Sequence, residues 1–161
     1  MMMITDTDAK WPFFNKYHDN CYIKSHDTRQ FIVLKESRES REYRLENKSA
    51  KDVIVYKIDG GLIDNNDVLK CDYGIFTEDN TLYFIELKGA DYIHALEQLL
   101  STINILVVRP QVIVDRLNGR VVLSKMNVPA IVSTQEKKLT KLLKEKNGGF
   151  IKQCHVLKET I

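Results

Sequence analysis

The sequence predicts an α/β domain of the α+β kind: a central mixed β-sheet, including a β-hairpin, flanked by helices. Three observations predict it. Three β-rich runs follow one another over residues 53–58, 68–77 and 81–88. A stripe of apolar residues at helical spacing follows directly over 91–106, and shorter β-rich runs and a basic helix complete the chain.

A length of 161 residues gives one core rather than two. With 43% hydrophobic and 29% charged residues, the chain has globular composition, which excludes wholesale disorder and fibrous repeats. No run approaches the roughly 18 apolar residues of a membrane span. The opening MMMITDTDAKWPFF carries acids where a secretory signal would carry bases. Cys21, Cys71 and Cys154 are odd in number and lack CxxC spacing, and pairing His18 with Cys21 or Cys154 with His155 gives no zinc-module spacing. These features set the expectation of a cytoplasmic protein without a membrane partner.

The expected organisation is a single domain, 1–161. Residues 1–50 form a cap: an aromatic cluster at Trp11, Phe13, Phe14 and Tyr17, a strand-like run over 30–34, and a charged segment over 36–48. In that segment Arg38, Arg41 and Arg44 recur every third residue, which predicts a surface helix anchored by Tyr43 and Leu45. Residues 51–108 carry the core. The run over 53–58 is stopped by Asp59-Gly60-Gly61, and 68–77 and 81–88 are separated by Glu78-Asp79-Asn80, the pattern of a hairpin. Asp91 caps the helix over 91–106, whose stripe is Ile93, Leu96, Leu100 and Ile103. Residues 109–161 add strand-like runs over 111–114, 120–125 and 130–132, with a turn expected at Asn118-Gly119. Ser133-Thr-Gln-Glu136 opens a helix ended by Asn147-Gly148-Gly149, and 150–157 reads as an edge strand.

The chemistry concentrates in the hairpin. Alternation sets Leu82, Phe84, Glu86 and Lys88 on one face and Tyr83, Ile85 and Leu87 on the other, so both faces are apolar until Glu86. An ion at the end of such a strand costs several kcal/mol unless compensated. If Thr77 faces Thr81 across a three-residue loop, Asp72 falls opposite Glu86, with Cβ atoms roughly 4.5–5.5 Å apart. A two-residue loop would oppose Asp72 to Leu87 and turn Glu86 to the other face. Two clustered acids without His or Cys suit Mg²⁺ or Mn²⁺. Lys88 beside them suits an attacking water or the charge that builds on a phosphate, which together describe phosphodiester hydrolysis.

Asp72, thirteen intervening residues and Glu86-Leu87-Lys88 resemble the active-site motif of the PD-(D/E)XK nuclease superfamily, the restriction-endonuclease-like fold. The resemblance spans about residues 53–106, with Cys71 in place of the usual proline. It implies that Asp72, Glu86 and the Leu87 carbonyl ligate the metal and that Lys88 acts at the attacking water. His94 and Gln98, four apart on the following helix, face the site on this reading, with Gln98 in the catalytic set. An additional acid on a helix before the first strand is implied, for which Glu46, Glu42 and Asp59 are the candidates.

From Lys125 to the end the chain carries eight Lys and three Glu, or +5, whereas the first 124 residues carry sixteen basic and nineteen acidic side chains, or −3. Lys137, Lys138, Lys141 and Lys144 are therefore the candidate phosphate contacts. The expected function is a Mg²⁺-dependent endonuclease, acting on DNA ahead of RNA. The alternative is a non-catalytic or partner-dependent nucleic-acid-binding subunit on the same fold. A chain this small would embrace a duplex with a second copy of itself or a partner protein.

Overall fold

The computed structural model describes residues 11–36, 40–125 and 132–161. Arg38, and all but Val132 of the strand expected over 130–132, lie outside them. The described residues form three layers: helices, a six-stranded mixed sheet, and a second sheet of three strands.

The six-stranded sheet has the order β1 (Ile23–Asp27), β4 (Val53–Lys57), β5 (Tyr73–Thr77), β6 (Thr81–Lys88), β7 (Arg116–Leu123), β8 (Phe150–Cys154). Neighbours are antiparallel from β1 to β6 and parallel from β6 to β8. The mixed sheet with helices against it is as expected. On one face lie the short helix α1 (Pro12–Lys16), α2 (Tyr92–Ile103), which continues as a π turn over Asn104–Val108, and α3 (Thr134–Glu145). Phe13 of α1 is fully buried against Tyr56, Phe76 and Phe84, which explains the N-terminal aromatic cluster. Asp91 caps α2 by accepting the His94 N–H, and Ser133 caps α3 by accepting that of Glu136.

The other face packs on β2 (Phe31–Lys35), β3 (Glu42–Glu46) and β9 (Val156–Thr160), in the order β2-β3-β9. This sheet overturns the surface helix expected over 36–48. Tyr43 and Leu45 are two residues apart, the strand period, and both are fully buried between the sheets. Arg120, 6% exposed, lies in the same interlayer, with its Nε 2.8 Å from Glu159, which also accepts the Tyr43 hydroxyl at 2.6 Å.

Three further expectations are corrected. Asn118-Gly119 is no turn: β7 runs straight through it, and 111–114 contains no strand. A Cβ on Gly119 would lie 3.2 Å from Leu143 and 3.6 Å from Leu99, so glycine there admits both helices onto the sheet. Residues 150–157 do not form one edge strand either. His155, at φ +66°, turns the chain from β8 in the large sheet into β9 in the small one.

Candidate active site

The β5–β6 hairpin fixes the site. Asn80 takes the left-handed conformation, φ +58°, and its N–H bonds the Thr77 carbonyl at 3.0 Å, which closes a three-residue loop. Thr77 therefore pairs with Thr81, and Tyr73 with Ile85. Continued by one residue, this register sets Asp72 opposite Glu86, on the face toward α2. The Asp72 Oδ2 accepts the Leu87 N–H at 2.9 Å. An extended residue points its N–H and C=O toward the same neighbouring strand, so the Leu87 carbonyl is also on the Asp72 edge.

Both faces of β6 are buried, as its composition requires. Glu86 is only 1% exposed. Burial, and next the adjacent Asp72 carboxylate, push its carboxyl up to about 10; Lys88 opposes this and Asp59 adds to it. Lys88, half-buried, follows on the same face. Asp72, Glu86 and Lys88 are thus brought together, with Asp59 close enough to be felt at Glu86.

The segment before Asp72 is held by α2. Thr102 Oγ1 accepts the Cys71 N–H at 2.8 Å, and Gln98 Nε2 donates to the Lys70 carbonyl at 3.0 Å. Gln98 therefore touches the backbone that leads into the site, one turn before Thr102. Cys71 is fully buried, and desolvation raises its thiol pKa well above the ordinary value.

Glu42 and Glu46 are on β3, not on a helix, on the face opposite Tyr43 and Leu45, and Glu42 pairs with Arg44 at 2.8 Å. Neither lines the cleft beside Asp72. That cleft, about 360 Å³, is lined by Lys24, Glu36, Lys57, Asp59, Asp72 and Tyr73. Of the three candidate extra acids, Asp59 is the one that lines this cleft.

Lys137, Lys138, Lys141 and Lys144 are exposed on α3. Tyr92 donates to Glu136, which brings the N-terminal ends of α2 and α3 together. From there the lysines run away along α3, Lys144 being roughly 10 Å beyond Lys137. Lys152 completes a cluster with Glu136 (2.8 Å) and the Tyr92 hydroxyl (3.3 Å). Its only trace in the sequence is the capping-box Glu136, whose carboxylate goes to this cluster.

Among the described residues no group of three or more His, Cys, Asp or Glu side chains is arranged to hold a metal ion. The set of atoms that the hairpin gathers is two carboxylates and a main-chain carbonyl, all oxygen. That set fits Mg²⁺, which takes one or two carboxylates and keeps several waters, and does not fit a zinc site. No described helix is long and apolar enough to cross a membrane. Comparison with known proteins finds no family model, no curated protein and no solved structure that matches the chain.

Proposed function

We propose that the chain is a metal-dependent nuclease of the PD-(D/E)XK kind, hydrolysing phosphodiester bonds in nucleic acid, with DNA ahead of RNA. The observation that carries this reading is the placement of Asp72 opposite a buried Glu86, with Lys88 two residues on along the same face. The order of elements supports it: antiparallel β4, β5 and β6, then α2, then β7 parallel to β6.

On this reading Asp72, Glu86 and the Leu87 carbonyl hold Mg²⁺ or Mn²⁺. The ion, when bound, supplies Lewis-acid activation of the scissile phosphate and its attacking water. Lys88 orients that water and offsets the negative charge that develops on the phosphate. Gln98 and Thr102 are positioning residues, since they fix the backbone of residues 70 and 71. The Leu87 N–H holds the Asp72 carboxylate in place. Cleavage of labelled DNA in Mg²⁺ by wild type and Lys88→Ala tests these roles: the variant is expected to bind but cut at least about 100-fold more slowly. Equal rates would remove Lys88 from the mechanism.

One observation favours a second reading, a non-catalytic nucleic-acid-binding or partner-dependent subunit. A Glu86 that keeps its proton to about pH 10 satisfies the buried site without any cation. Salt-dependent binding with no cleavage in any divalent metal is the outcome expected of that subunit.

A further inference from the structure

The cleft beside Asp72 holds two cations with no part in the chemistry above. Lys24 is the extra residue of a β-bulge: Ile23 pairs with Tyr56 and Ser25 with Val55, so Lys24 has no partner on β4. Bulges re-aim side chains. Here the Lys24 Nζ is carried over the ring of Tyr73, 5.3 Å from its centroid, on the lining of the cleft that also holds Asp72. Tyr73 is itself anchored, its hydroxyl donating to Glu36 at 3.0 Å. Lys57, at the end of β4 and paired in register with Tyr73, supplies the second ammonium. Among the described residues, neither lysine has a carboxylate within ion-pair distance, although Glu36, Asp59 and Asp72 line the same cleft.

An anion approaching three carboxylates is repelled unless cations share the wall, and two lysines without carboxylate partners meet that requirement. Their positions set the size of the anion. Lys88 is on β6, Asp72 immediately before β5, Lys57 on β4 and Lys24 on β1, successive strands of one sheet. Lys57 is level with Ile85, three residues short of Lys88, and Lys24 is about one residue further back. With strands roughly 4.8 Å apart and about 3.4 Å per residue, the backbone at Lys57 is roughly 14 Å from that at Lys88, and that at Lys24 roughly 20 Å. A single phosphodiester does not span that distance.

We propose that Lys24 and Lys57 grip a phosphate next to the scissile one, so that the substrate is a polynucleotide strand crossing the sheet end from β6 toward β1, rather than a mononucleotide diester. This rests on the nuclease reading for the position of the scissile phosphate. The lysines are binding residues, and their loss is expected in KM rather than in kcat.

The test compares wild type with Lys24→Gln, Lys57→Gln and the double variant. Fluorescence anisotropy in Mg²⁺ follows a labelled phosphorothioate hexanucleotide, which resists hydrolysis, and unlabelled dinucleotide as competitor. The double variant is expected to bind the hexanucleotide at least about tenfold more weakly. Its slope of log K against log salt is expected to be shallower by about one per lysine. The wild-type preference for hexanucleotide over dinucleotide should shrink, and Lys24→Arg with Lys57→Arg should restore it. Unchanged hexanucleotide affinity and slope in the double variant would overturn the inference and leave the nuclease reading standing. Equal losses on both lengths would also overturn it. A wild type that binds but never cuts, with the slope change intact, supports the phosphate grip while the catalytic reading fails. A wild type that neither binds nor cuts overturns both.

Discussion

Asp72 and Leu87 are joined by a 2.9 Å hydrogen bond from the Leu87 N–H to the Asp72 carboxylate, which fastens one acid of the site to the peptide that follows the other. The contact follows from the hairpin loop. With Thr77 opposite Thr81, the last residue before β5 reaches the end of β6 at Glu86 and Leu87. The loop thus sets the site's geometry from one end of the sheet, and α2 braces it from the helix side.

Glu86 makes stability depend on pH in a stated direction. Unfolded, it ionises near 4.5; folded, burial first and Asp72 second hold its proton up to about 10. Between those values the folded state binds more protons at this group, so its contribution to stability is full below about pH 4.5 and declines as pH rises. The slope from this one group is limited to about 1.4 kcal/mol per pH unit. Urea unfolding in EDTA from pH 5.5 to 8.5 should show the decline in wild type and a flatter profile in Glu86→Gln. Parallel profiles would mean that Glu86 is already ionised in the metal-free fold.

Thr102 is the brace most easily removed. Its hydroxyl accepts the buried Cys71 N–H and donates to the Gln98 carbonyl. Thr102→Val keeps the shape and leaves that N–H unpaired, at an expected cost of about 1–3 kcal/mol. Thr102→Ser should retain most of the stability. Chemical denaturation of the two variants separates the hydrogen bond from the packing.

Asn80 should tolerate glycine better than alanine. Both substitutions delete its 3.3 Å bond to the Ile113 carbonyl, but only alanine has to bear the left-handed conformation, which costs an ordinary residue about 1–2 kcal/mol. Equal stability of Asn80→Gly and Asn80→Ala in thermal unfolding would show that the loop does not depend on this conformation.

The interlayer ion pair predicts the largest loss. Removing the carboxylate in Glu159→Ala strands the buried Arg120 guanidinium, at an expected cost of about 3–5 kcal/mol. Tyr43→Phe, which deletes one hydrogen bond to the same carboxylate, should cost about 1 kcal/mol. Urea midpoints of the two variants, compared at equal m-value, check the order.

The sequence makes plain the elements whose determinants are local. Asp91 and Ser133 announce the helices they cap, and Glu78-Asp79-Asn80 announces the hairpin but leaves its register open between a loop of three residues, the one found, which sets Asp72 opposite Glu86, and a loop of two. It conceals what depends on distant pairing. The arginines of 36–48 imitate a helical repeat, whereas β3 is a strand because β2 and β9 flank it, and β9 is contributed from the far end of the chain. Asn118-Gly119 has turn chemistry, yet its glycine serves helix packing. Nothing in the sequence marks Lys24, which reaches the Tyr73 ring from the bulge in β1. Glu46 lies away from the cleft because β3 belongs to the second sheet, whereas Asp59, in the turn that ends β4, lines it.

Cleavage of labelled single- and double-stranded DNA and RNA by wild type and Glu86→Ala, in Mg²⁺, Mn²⁺ or EDTA, tests the central claim most directly. The account predicts cutting that requires the divalent ion and falls at least about 100-fold in the variant. Cutting that persists in EDTA or in Glu86→Ala, or a folded wild type that cuts none of these substrates in either metal, would contradict it.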